Sequence, residues 1–224
     1  LNLANGGPLG LVAINNVRAP KTNNVTPGCP ALGGGIMTDT DVLEIRRASA
    51  QPAVVDPAEM QLQSRLGQAD IFANGAIPAA YLGMPPGTTN TFSVVLSSWY
   101  VANGSNGDPN VPSMRRRTLT GGQMVDEEGI AGVENMQLQL GLDTDLTPDG
   151  NVDQYVDPDD PAVAASEVVA VRLWMLIRTT DPERGFVDGA TYTPLDDQLG
   201  DITPNDNFRR MQVSKTIYMR NFRG

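Results

Sequence analysis

The chain has 224 residues, 40% of them hydrophobic, and a net charge of −10 that opposes binding to nucleic acids and anionic membranes. It contains no histidine, which excludes the usual zinc ligand and the Ser/His/Asp and Cys/His catalytic arrangements. Its single cysteine, Cys29, excludes an internal disulfide, so this residue is either an inert thiol or pairs with a cysteine outside this sequence. No apolar run reaches the roughly eighteen residues that a membrane-spanning helix needs.

Glycine and proline separate runs of alternating polarity, which is typical of a β-rich chain with long loops. We expect one domain over residues 1–224, with an irregular N-terminal region over 1–40. The run DVLEIRRA at 41–48 alternates with a period of two and predicts a strand. In DPAEMQLQSRLG, Asp56 can cap a helix and Gly67 can end it, which predicts a short helix between them.

The second half of the chain contains the clearest strand patterns. Residues 90–104 predict a long strand, and 112–119 its antiparallel neighbour, with the arginines at 115–117 on alternate faces as members of salt bridges. Residues 168–179 are apolar on both faces and predict a central strand, and 209–222 predict the last strand of the same sheet. In ENMQLQLGLD, one face is predicted to be buried and the other wet, the buried residues being Met136, Leu138, Leu140 and Leu142.

These segments follow one another in a recognisable order: DVLEIRRA, PSMRRRTL, GVENMQLQLGLDTD, an acidic glycine turn, VVAVRLWMLIRT and KTIYMRNFR. Over residues 38–224 this order resembles the PilW-type minor pilins of bacterial type IV pili. The resemblance implies an α+β fold, predominantly antiparallel β, which is type IV pilin-like with long decorated loops. It also implies an N-terminal helix, membrane-spanning in its first half, that precedes Leu1 and is missing from this sequence.

A missing helix would leave an apolar patch around Trp174 and Leu176, unless the loops of the protein cover it. The alternative is that residues 168–179 are buried within a core between two sheets.

The stretch GLDTDLTPDGNVDQYV predicts a calcium loop, because calcium takes six to eight oxygen ligands from carboxylates, carbonyls and a glycine bend. Counting from Asp145 gives the best register, although Val156 stands where an EF-hand has its bidentate glutamate. An acidic surface turn remains the alternative. The candidate ligands are Asp143, Asp145, Thr147, Asp149, Asn151 through its carbonyl, Asp153 and Asp157.

We assign no catalytic residue and expect no enzyme, since paired carboxylates lack an aromatic sugar platform in a chain with 5% aromatic residues. The resemblance implies a structural and assembly subunit, anchored at the periplasmic face of the inner membrane only through its missing helix and built into the pilus. Its partners would be other minor pilins and a pilus-tip adhesin, met by loops at 143–160 and 181–207.

Two alternative functions stay open. One is a secreted adhesin or carbohydrate-binding module stabilised by calcium, and the other is a minor pseudopilin of type II secretion. The coding sequence upstream of Leu1 distinguishes a pilin leader and apolar helix from an ordinary signal peptide.

Overall fold

The computed structural model describes residues 10–14, 35–196 and 199–219. Cys29 lies outside these residues. The described part of the chain forms eleven strands and two single-turn 3₁₀ helices, Ala79–Tyr81 and Pro161–Ala164. The strands are β1 (Gly10–Ile14), β2 (Val42–Ala48), β3 (Gln61–Arg65), β4 (Gln68–Phe72), β5 (Asn90–Ala102), β6 (Ser113–Thr120), β7 (Gln123–Ala131), β8 (Val133–Asp143), β9 (Gln154–Val156), β10 (Glu167–Arg178) and β11 (Arg210–Tyr218).

Seven strands form one antiparallel sheet around the long strand β5. One edge of β5 pairs with β2, in a register that joins Leu43 to Trp99, and β1 then pairs with β2. The other edge is divided between β3 and β6, and these two strands continue into β4 and β7 respectively. β5 is thirteen residues long, so the β3–β4 hairpin and the β6–β7 hairpin can both pair with the same edge of it.

The remaining strands form a second antiparallel sheet in the order β11, β10, β8, β9. β10 lies inside this sheet between β11 and β8, which confirms its prediction as a central strand. The alternation in β8 is confirmed on its apolar face, where Met136, Leu138, Leu140 and Leu142 are buried. The expected wet face is wrong, because Gln137 and Gly141 are buried as well and Asn135 and Gln139 are half-buried.

The two sheets share a core. Leu43 of β2 packs against the cluster formed by Leu138, Leu140 and Leu142 of β8, and Val101 of β5 packs against Val133 and Met136. The segment before β2 crosses between the sheets, since the backbone N–H of Leu138 donates to a carboxylate oxygen of Asp41 at 2.6 Å. A two-layer β arrangement therefore buries one face of each sheet.

The α+β, pilin-like fold class expected from the resemblance is wrong. The described residues contain no α-helix, and every strand pair among them is antiparallel. None of their helices has the length and apolarity needed to cross a membrane. The period of two that runs through most of the chain forms sheets without a helix to cover them, because each sheet covers the other.

The helix expected after Asp56 is also wrong. Asp56 does accept a hydrogen bond from the N–H of Ala58 at 2.8 Å, as a capping residue would, but this bond closes a turn rather than a helix. Residues 61–65 then form β3, which pairs with β5 on one side and β4 on the other. Gly67, expected to end the helix, instead takes a left-handed φ of 74° in the β3–β4 turn.

The outer face of the four-stranded sheet is covered by the chain itself. Trp174 and Leu176, expected to form an exposed patch, are 1% and 0% exposed. The segment between β10 and β11 lies over this face: Gln139 donates to the carbonyl of Leu195 at 3.1 Å, and the guanidinium of Arg178 lies 3.9 Å from the ring centre of Phe208. The expectation of exposure fails because a loop, rather than a helix, covers these side chains.

Candidate functional site

The acidic stretch forms the loop that connects β8 to β9. Asp143, the last residue of β8, is buried, and its two carboxylate oxygens accept hydrogen bonds from loop N–H groups. Gly150 donates to Asp143 at 2.6 Å and Asp145 donates at 3.3 Å. Gly150 has a φ of 83°, which an L-residue adopts only with strain, so glycine permits the sharp return of the chain. The buried carboxylate thus organises the loop around itself.

Three aspartates meet at the base of this loop. Asp143, Asp145 and Asp153 each have a carboxylate oxygen within 4.8 Å of those of the other two. One oxygen of Asp153 is fixed by the backbone N–H of Thr144 at 2.7 Å and by its hydroxyl at 2.9 Å. The negative charge of Asp153 is the main cause that raises the pKa of Asp145, and burial and the charge of Asp143 raise it further. A cation placed among these oxygens would relieve that repulsion.

Asp149, another predicted ligand, is hydrogen-bonded within its own turn of the loop, although its negative charge also contributes to the raised pKa of Asp145. Asp149 accepts hydrogen bonds from the backbone N–H of Asn151 at 2.8 Å and from its side-chain amide at 2.7 Å. Thr147 is exposed in the loop, and Asp157 follows the end of β9. The structure therefore brings together Asp145 and Asp153, the first and ninth positions of the register counted from Asp145, and adds Asp143, which precedes that register.

A second cluster of charges fastens the segment between β10 and β11. The guanidinium of Arg210, at the start of β11, forms ion pairs with Asp188 at 3.2 Å, with Asp206 at 2.6 Å, and with Glu134 of β8. The hydrogen bond from Arg210 is the main cause that lowers the pKa of Asp206 to about 2. Burial alone would raise the pKa of Asp188, but hydrogen bonds from Ala190, Arg210 and Tyr192 lower it.

This network was missed in the sequence, although part of its signal is present there. Arg209 and Arg210 begin the last strand directly after an acidic loop, and alternation places them on opposite faces. Arg209 forms an exposed pair with Glu183, whereas the side chain of Arg210 is 4% exposed. The expectation that arginines 115–117 form salt bridges from alternate faces is confirmed at Arg115 with Asp126 and at Arg116 with Glu127.

The strand order, the acidic turn and the basic last strand carry the resemblance to the minor pilins of type IV pili, and the comparison with known families agrees with it. Residues 98–221, more than half of the chain, match the family model described as Type IV Pilus-assembly protein W. The chain belongs to this family, PilW, which confirms the resemblance. No curated protein and no solved structure matches it.

The matched residues run from the second half of β5 beyond the end of β11. They include the whole four-stranded sheet, the acidic loop and the segment fastened by Arg210. Membership of this family makes the protein a component of type IV pilus assembly, associated with the cell envelope or the pilus and interacting with other pilus components.

Proposed function

We propose that the protein is a minor pilin that primes assembly of the type IV pilus, in a tip complex with other minor pilins and a tip adhesin. It acts at the periplasmic face of the inner membrane and is then carried on the extracellular pilus. The observation that carries this proposal is the match of residues 98–221 to the type IV pilus-assembly family.

The construction of the four-stranded sheet supports a binding role. The segment between β10 and β11 is long, yet the buried Arg210 fastens it to β8 and Phe208 stacks on Arg178. A loop that is already ordered loses less conformational entropy when it binds a partner than a free loop would. Its outward surface can therefore dock another subunit by shape and charge complementarity, without any chemical step.

A deletion strain tests the priming role. A subunit that primes a polymer sets how many filaments start, so deletion should lower the number of pili per cell and leave the length of the remaining pili unchanged. Electron microscopy measures both quantities, and re-expression of the wild-type gene should restore the number. Unchanged numbers with shortened pili would contradict priming.

The same strain distinguishes the related secretion machine. If the protein were a minor pseudopilin of type II secretion, deletion would retain exoproteins inside the cell while pili remained normal. Assay of secreted protein in the culture medium measures this outcome directly. We expect secretion to be unaffected.

We further propose that the acidic loop binds calcium and that Asp143, Asp145 and Asp153 supply its carboxylates. The proposal is supported by the proximity of their oxygens and by the raised pKa of Asp145. Calcium suits this donor set, because it takes only oxygen ligands and tolerates irregular geometry. The ion would stiffen the loop between β8 and β9 and would catalyse nothing.

Thermal unfolding tests calcium binding. A ligand present at about 100 times its dissociation constant stabilises the folded state by about 2.7 kcal/mol, so calcium should raise the melting temperature and a chelator should lower it. Asp145→Asn should raise the melting temperature in chelator, since it removes repulsion, and should abolish the response to calcium. Asp181→Asn, in the exposed segment after β10, is the control and should keep the response. If neither calcium nor chelator changes the melting temperature of the wild-type protein, the loop is an acidic surface turn and not a calcium site.

A further inference from the structure

β11 has one hydrogen-bonding edge that no described strand occupies. It pairs with β10 over nine residues without a register shift, from Arg178 with Arg210 to Ala170 with Tyr218. At the two ends of this ladder, the N–H of Met219 donates to the carbonyl of Val169, and the N–H of Thr179 donates to the carbonyl of Arg209, each at 2.9 Å.

The register shows which backbone groups point away from β10. Hydrogen-bonded pairs alternate along an antiparallel ladder, and both terminal bonds involve odd-numbered residues of β11. The odd-numbered residues therefore bond to β10 throughout. The even-numbered residues turn their N–H and C=O groups outward, and those in the middle of the strand are Gln212, Ser214 and Thr216.

The side chains of the odd-numbered residues form a row of three apolar residues and one lysine, which we call the β11 stripe: Met211, Val213, Lys215 and Ile217, of which Val213 is half-buried and the others are exposed. Met211 is 59% exposed and Ile217 is 51% exposed, although both lie on the face that elsewhere forms the core between the sheets. Lys215 is exposed at the centre of the stripe and forms no ion pair within the described part of the chain. A lysine in such a row discourages indiscriminate pairing of edge strands.

Charge indicates what this edge accepts. Residues 207–224 contain five lysines and arginines and no acidic residue, in a chain whose net charge is −10. Arg209 and Arg210 are already paired with carboxylates of the preceding segment. Lys215 is therefore the unpaired cation of β11. Two copies paired antiparallel about this residue would oppose lysine to lysine, which is unfavourable.

We infer that β11 binds an extended strand of another pilus subunit, which adds to the sheet and places Asp or Glu opposite Lys215. On the outward edge, Lys215 falls in a non-hydrogen-bonded position, where opposed Cα atoms are only about 4.5 Å apart and side chains lie closest. Aliphatic residues two positions to either side of the carboxylate would cover Val213 and Ile217. The inference rests on the proposed function, because pilus assembly supplies the neighbouring subunit.

Synthetic strands test the charge requirement. The probe is a nine-residue peptide that alternates Val and Thr and has Glu at its centre, and the control peptide has Lys there. Fluorescence anisotropy at low salt should show that the wild-type protein prefers the Glu peptide by on the order of tenfold, since opposed charges attract and like charges repel across a strand pair. Lys215→Glu should reverse the preference, and added salt should weaken it.

Proline substitutions test the backbone requirement. Ser214→Pro removes an outward N–H but none of the bonds to β10, and proline is tolerated on the free side of an edge strand. Binding of the Glu peptide should fall by more than tenfold while the circular dichroism spectrum is unchanged. Thr216→Pro provides a second position if the first variant does not fold, and Ser214→Ala is the control that keeps the N–H.

The outcomes separate this inference from the function on which it rests. Equal binding of the two peptides, or binding that survives both proline variants, would overturn strand addition at β11. So would self-association of the wild-type protein that Ser214→Pro abolishes, because a second copy would then be the occupant. A deletion strain with normal numbers of pili would instead refute the proposed function.

Discussion

The strongest prediction concerns two neighbouring arginines, Arg210 at the start of β11 and Arg209 just before it. Arg210→Ala removes a buried guanidinium, whereas Arg209→Ala removes one that is 56% exposed from its pair with Glu183. The two variants make the same chemical change at adjacent positions, one just before β11 and one at its first residue. Any difference between them therefore measures the effect of burial and of the surrounding carboxylates.

The expected loss of unfolding free energy follows from the three carboxylates that Arg210→Ala would leave without their partner. Without Arg210, the buried Asp188 loses a partner at 3.2 Å and Asp206 loses one at 2.6 Å, while Glu134 loses its bidentate partner. Removing one member of a buried ion pair costs about 3–5 kcal/mol, because the remaining charge stays desolvated and uncompensated. Exposed pairs such as that of Arg209 contribute about 0–1 kcal/mol. We expect the two variants to differ by at least about 2 kcal/mol.

Urea unfolding followed by tryptophan fluorescence measures this difference. Trp174 is a suitable reporter, because it is buried on the face that the Arg210-fastened segment covers. In Arg210→Ala, the transition should move to a lower urea concentration, whereas Arg209→Ala should remain close to the wild type. Equal losses of unfolding free energy in the two variants would refute the view that Arg210 fastens the segment through buried ion pairs.

Low pH and glycine substitutions provide two further predictions. Arg210 lowers the pKa of Asp206 to about 2, and the pKa of Asp188 is also lowered. A carboxyl group whose pKa in the folded protein lies below its unfolded value of about 3.9 stabilises the protein above that pH, and this stability is lost as the pH falls. The urea midpoint should therefore fall between about pH 5 and pH 2, and it should fall less in Arg210→Ala. Gly132 and Gly185 have similar φ values of 86° and 82°, but a Cβ at Gly132 would lie 2.3 Å from a backbone oxygen whereas one at Gly185 meets nothing within 4 Å. Gly132→Ala should therefore lower the melting temperature clearly more than Gly185→Ala, and equal shifts would show that φ strain alone decides.

The sequence determined much of the sheet pattern, because alternation is a local property of a strand. The strands at 41–48, 90–104, 112–119 and 168–179 were all predicted, and each is present. The same local signals failed at Asp56, whose capping bond forms equally well in a turn and in the first turn of a helix. Pairing with β5 and β4 decided in favour of a strand there, and no pattern within residues 56–67 records those partners.

The family was also accessible from the sequence, since the order of strands and the acidic turn carried the resemblance that the match over residues 98–221 confirms. The correct fold class was not accessible in this way, since the resemblance implied an α+β fold. Each sheet buries one face against the other, and a loop buries Trp174 and Leu176, so no helix is needed within the described residues to cover them.

The candidate sites were also predicted in part from the sequence and decided in part by the tertiary structure. Composition located the acidic loop, but only the return of the chain into β9 brings Asp153 against Asp143 and Asp145 while Asp149 turns to Asn151. Coverage of a sheet face, convergence of carboxylates from both ends of a loop, and exposure of the β11 stripe all depend on segments distant along the chain. Residue patterns specify which way a side chain points from its own strand, and only tertiary packing decides what it meets there.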